Sequence, residues 1–106
     1  MDIEHWRKEI DEIDTELLRL LNVRAGLALK VGALKKEADL PLCDPVRERV
    51  VLERLGNLNE GPLDQRAIER LFRRIIWESR RIETDNLTSD PVAHTSHSEQ
   101  TVGGVS

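Results

Sequence analysis

Apolar residues recur at helical spacing from the N-terminus to residue 34: Ile10, Ile13, Leu17, Leu20, Leu21, Leu27, Ala28, Val31 and Leu34 share one side of a 3.6-residue repeat. This stripe predicts a single helix over about residues 2–38. At about 1.5 Å per residue, roughly thirty-six residues make a rod of about 54 Å, whereas a compact domain of 106 residues has a radius of gyration of about 13 Å. One end of the rod is left without a neighbour, and the simplest arrangement that covers its stripe is a two-fold dimer with the long helices packed together. Gly26 and Gly32 lie inside the rod, where each costs about 1 kcal/mol relative to alanine. Close helix approach is the expected reason for both.

Charged residues interrupt the stripe. Arg24 is seven positions from both Leu17 and Val31, so all three project from nearly one side, and Lys35 returns to that side eleven positions later. Facing a packed core, an unpaired guanidinium or ammonium costs several kcal/mol. Either the protein or a ligand therefore supplies an anion. A second stripe, Ile68, Leu71, Phe72, Ile75 and Ile76, likewise continues into Ser79 and Glu83. Taken singly, an inward arginine is often a stem that snorkels to the surface, and an inward serine a small helix-contact residue. Four such positions together point to a polar site.

Two shorter helices complete an all-α chain. Asp44-Pro45 pairs an N-cap residue with proline at the first helical position, starting a second helix that runs through about Asn57. Its first turn carries Arg47 and Glu48, and an arginine there runs against the preference of the helix dipole. Residues 57–62 form a connecting loop, and a third helix runs from about Leu63 to Thr84. Residues 85–106 are rich in Ser and Thr and have no periodicity, predicting one helical domain over 1–84 and a disordered tail over 85–106. His94 and His97 fall in that tail and, without further ligands, do not make a metal site.

Composition excludes several classes. Apolar residues make up 39% and charged residues 34%, a soluble globular profile. No apolar run is long enough to cross a bilayer and the first six residues are not a secretory leader, so a cytoplasmic protein without membrane contact is expected. The lone Cys43 forms no internal disulfide. Net charge is −4; sixteen Lys and Arg against seventeen Asp and Glu leave residues 1–83 at −1, since Asp85, Asp90 and Glu99 lie beyond. Arg66, Arg70, Arg73, Arg74, Arg80 and Arg81 spread over one broad face of the third helix around Trp77. A nucleic-acid surface is one reading of that row. Local acids such as Glu69 and Glu78 and the near-neutral total favour a solvated face instead. Trp6 and Trp77 read as packing or interface residues.

The strings Arg24-x6-Val31-Gly32-x2-Lys35 and Asp44-x2-Arg47-Glu48-Arg49-x3-Glu53-Arg54-Leu55, with Arg7, Ser79 and Glu83, resemble the all-helical chorismate mutases over about residues 3–84. The resemblance implies three helices per chain intertwined into a homodimer whose two active sites each draw on both subunits. It implies the pericyclic rearrangement of dianionic chorismate to prephenate, in phenylalanine and tyrosine biosynthesis on the shikimate pathway, with no metal or other cofactor. By the same resemblance Arg7 of the partner subunit, Arg24 and Arg47 bind the substrate carboxylates with help from Ser79. Lys35 donates to the ether oxygen as it becomes negative, and Glu48, with the Asp44 region, receives the ring hydroxyl. Lys35, Glu83 and Arg24 are thus the expected catalytic residues. Glu83 departs from the many bacterial members that carry glutamine there, because a carboxylate donates a hydrogen bond only when protonated. Two related readings share the fold: an isochorismate-pyruvate lyase, and a weakly active mutase that works through a partner enzyme of the shikimate pathway.

Overall fold

The computed structural model describes residues 2–88. Three helices account for nearly all of them: α1 from Ile3 to Glu37, α2 from Pro45 to Leu58 and α3 from Gln65 to Thr88. No strand occurs among the described residues. Of the tail expected over 85–106, residues 85–88 belong to α3 instead, and the remainder, with His94 and His97, lies outside the described residues. Among the described residues no helix is long and apolar enough to cross a membrane.

Local chemistry sets each helix end. Asp2 caps α1 by accepting from the His5 N–H at 3.0 Å. The helix stops in a left-handed turn at Asp39, φ 60°, where Asp39 N–H returns to the Lys36 carbonyl at 3.1 Å and Leu40 N–H to the Lys35 carbonyl at 2.8 Å. This paired return satisfies two otherwise orphaned carbonyls, and aspartate is one of the few residues that enters that turn readily. Asp44 caps α2 through the Arg47 N–H at 3.0 Å, with Pro45 in the first turn. α3 begins two residues later than its apolar pattern suggests, because Asp64 supplies the cap, accepting from the Ala67 N–H at 2.8 Å. It also runs four residues past the expected end at Thr84. Arg81 reaches Asp85 at 3.3 Å one turn on, which favours continuation, and no proline intervenes before Pro91.

α3 is the central element, in contact with both α1 and α2. The long dimension is 53 Å, about the length of α1 itself, and the radius of gyration is 16.8 Å. For under ninety residues, about 12 Å is typical of a compact domain. Consequently almost nothing is fully buried within one chain: Val51 and Leu52 are the buried apolar side chains among the described residues. Ile10, Ile13, Leu17, Leu20 and Leu21 on the N-terminal half of α1 remain between 42% and 59% exposed. Gly32 meets the expectation of close approach, lying buried against Glu83 of α3, whereas Gly26 has no heavy atom of this chain near its missing side chain.

Candidate active site

Where the C-terminal half of α1 meets the start of α2 and the C-terminal half of α3, the helices enclose a cavity of about 290 Å³. Seven of the eight site residues expected from sequence line it: Arg24, Lys35, Asp44, Arg47, Glu48, Ser79 and Glu83. Apolar walls come from Leu27, Val31, Val51 and Ile76. Arg7 is the exception. It is exposed on the first turns of α1 and pairs with Glu4 at 3.0 Å, about 25 Å along the helix from Arg24.

Several of these side chains are held by a specific neighbour. Arg24 Nη1 donates to the Ser79 hydroxyl at 3.3 Å, and Ser79 is only 7% exposed, the one buried polar side chain among the described residues. Lys35 Nζ donates to the Leu42 carbonyl at 3.1 Å. Two of its three protons remain available. Asp44 spends one carboxylate oxygen capping α2, the same bond that orders the Arg47 backbone. Glu48 Oε2 accepts from Arg80 Nη2 at 2.9 Å.

The cavity carries uncompensated positive charge. Among the described residues Arg24, Lys35 and Arg47 enter no ion pair. The anion that the inward Arg24 calls for is absent at contact distance from the protein's own side chains; its partner is a neutral hydroxyl. Glu83 stands among these cations without contacting them at ion-pair distance. Burial raises its carboxyl above the ordinary value, and this outweighs the opposing pull of Lys35, Arg80 and Arg24. The room for Glu83 is made by Gly32: a methyl group there would lie 3.1 Å from the Glu83 Cγ.

Arg80 is a site residue that the sequence reading placed on the outer basic face. It lines the cavity, and its position four residues after Ile76 and three before Glu83 does put it on the inward side of α3. Three other arginines of that row have acids beside them: Arg74 has Glu78 at 2.8 Å, Arg81 has Glu78 at 2.9 Å, and Arg73 has Glu69 and Glu48 at 3.9 and 3.7 Å. Arg74 also lies 4.7 Å over the Trp77 ring.

Together the walls and cations suit a small anion with apolar carbons and more than one acidic group. Comparison with known proteins agrees. Residues 6–84 match the family model described as chorismate mutase type II. A bifunctional chorismate mutase/prephenate dehydratase of Aquifex aeolicus is 44% identical over 79 residues, covering 71% of this chain and 22% of the relative. The chain thus spans about a fifth of such bifunctional relatives. A chorismate mutase of Methanocaldococcus jannaschii is 32% identical over 82 residues, 76% of this chain and 83% of that protein. Among solved structures, a chorismate mutase of Thermus thermophilus superposes with a TM-score of 0.76 at 39% identity, covering 77% of this chain and 93% of the other. The Helicobacter pylori enzyme in complex with prephenate gives 0.76 at 31% identity, with 83% and 96% covered. By sequence, by fold and by the cavity that its helices enclose, this chain belongs to the type II chorismate mutase family.

Proposed function

We propose that the chain converts chorismate to prephenate, acting as a homodimer in the cytoplasm on the route to phenylalanine and tyrosine. One observation carries this reading: Arg24, Lys35 and Arg47 converge on one cavity with no protein carboxylate paired to them. A dianion completes that charge balance.

The rearrangement breaks an ether C–O bond as a C–C bond forms, in one cyclic step. It calls for no nucleophile. Arg24, held by buried Ser79, and Arg47, at the start of α2, clamp the carboxylates and hold the substrate in its compact conformer. Lys35 donates to the ether oxygen as negative charge develops there, a preorganised interaction that strengthens in the transition state. Glu83, whose carboxyl is pushed above its ordinary value by partial burial, supplies a second donor to the same oxygen when it carries its proton. Glu48 accepts from the ring hydroxyl beside Asp44.

Arg7 enters from the second subunit. If two α1 helices pack antiparallel about a two-fold axis near Leu17, residue 7 of one lies level with residue 27 of the other, alongside the cavity. That axis passes through the exposed stripe Ile10, Ile13, Leu17, Leu20 and Leu21. One crossing therefore covers the apolar face and delivers a further guanidinium. The fused dehydratase of the Aquifex relative supports a pathway in which prephenate passes to a following enzyme, here as a partner or a separate protein.

The test is to incubate the purified chain with chorismate and identify the product. Prephenate formation is expected. Inertness toward chorismate with pyruvate release from isochorismate would replace the mutase reading by the lyase.

A further inference from the structure

Arg80 contacts the acid assigned to the substrate's ring hydroxyl, yet no role assigned so far uses it. Its pair with Glu48 differs from the others along α3. The two side chains are 28% and 25% exposed, whereas the arginines of the neighbouring pairs, Arg73, Arg74 and Arg81, are 50–69% exposed. The Arg80–Glu48 contact also joins different helices across the cavity wall, 32 residues apart in sequence, while the pairs of Arg74 and Arg81 lie within one or two turns of α3. An ion pair partly shielded from water at 2.9 Å fixes orientation better than a fully solvated one.

We propose that Arg80 is a positioning residue for Glu48: its guanidinium takes one lone pair of Oε2 and holds the carboxylate so that its remaining lone pairs meet the hydroxyl of the bound substrate. This rests on the mutase reading and adds to it an element of α3. The geometry supplies the reasons. A carboxylate has about four acceptor sites, Arg80 occupies one, and Arg73 stands off at 3.7 Å from Oε1. Without Arg80, Glu48 on the first turn of α2 has no close partner and turns toward Arg73 and solvent. The hydroxyl is present in substrate and transition state alike, so Arg80 acts on binding rather than on the bond-breaking step.

The experiment is a double-mutant cycle of Arg80→Leu with Glu48→Gln, with Arg80→Lys as the conservative variant, each first shown to be helical and as oligomeric as the parent. Leucine keeps the packing of the arginine stem. Arg80→Leu is expected to raise KM about tenfold with kcat within about twofold. It adds little further loss in the Glu48→Gln background, and Arg80→Lys recovers part of the affinity. Equal losses with and without Glu48 would overturn the proposal, since Arg80 would then be touching the ligand or supporting the fold. Unchanged kinetics in Arg80→Leu would overturn it also. A parent protein inert toward chorismate would refute the mutase reading itself, and with it this role, before any variant is compared.

Discussion

Replacing Glu83 by glutamine separates two consequences of one part-buried acid. In the folded chain desolvation holds the Glu83 carboxyl above the ordinary 4.5, against the pull of Lys35, Arg80 and Arg24. Between 4.5 and the raised folded value the native chain retains a proton that the unfolded chain has lost. Stability therefore falls as pH rises through that window, with a slope of up to about 1.4 kcal/mol per pH unit for one proton, and stays lower above it. The glutamine variant has no such proton, so it is expected to gain melting temperature over the parent at about pH 7 and to lose that gain as pH is lowered to about 4. Activity follows the same group. If protonated Glu83 donates to the ether oxygen, kcat/KM of the parent falls about tenfold per pH unit above the Glu83 pKa in the free enzyme, while Glu83→Gln lacks this decline. A bound dianion raises the Glu83 pKa further, so the kcat profile turns down at higher pH than kcat/KM. Stopped-time assays of chorismate loss from about pH 4.5 to about 9, with thermal melts in the same buffers, give both curves. Superimposable pH–rate profiles for the two proteins would refute the donor role, and an equal melting difference at all pH values would refute the linkage.

Other perturbations give distinct signatures. Arg24→Ala removes a charge-assisted clamp on a carboxylate and leaves Ser79 facing the ligand; a loss of about 2–4 kcal/mol in transition-state binding, roughly 30- to 1,000-fold in kcat/KM, is expected in steady-state assays. Gly32→Ala places a methyl group 3.1 Å from the Glu83 Cγ. Better helix propensity, about 1 kcal/mol, offsets the crowding in a thermal melt, while displacement of Glu83 by a few tenths of an ångström lowers kcat/KM about tenfold. Leu17→Glu puts two like charges on the proposed two-fold axis, and sedimentation is expected to show dissociation with loss of helicity, since one chain buries so little of its own apolar surface.

Much of the helical framework was legible because its signals are local. The α1 stripe and the Asp44-Pro45 cap place their helix boundaries within one residue of those observed. Polar residues at inward helical positions led to Arg24, Lys35, Ser79 and Glu83 before any fold was known, since periodicity alone fixes which way they project. Sequence resolved α3 less well. Leu63 extends its apolar pattern upstream of the true cap at Asp64, and the Arg81–Asp85 contact carries the helix past Thr84. Arg80 was hidden by its company: among six arginines on one helix, its inward direction matters only once Glu48 of α2 is known to stand opposite. Gly26 has no explanation within one chain. Arg7 was assigned by resemblance alone, and within one subunit it lies far from the cavity that it is expected to serve.

The claim that the site is built from two subunits is tested most directly by mixing Arg7→Ala and Arg24→Ala chains. Each variant alone lacks one guanidinium in every site and is expected to be nearly inactive. In a mixed dimer, one site receives Arg24 from its own chain and Arg7 from the partner, while the other lacks both. Random reassociation of equal amounts makes about half the dimers mixed, so about a quarter of the parental turnover returns. A mixture no more active than its separate components, in dimers shown to have exchanged, would contradict the shared site.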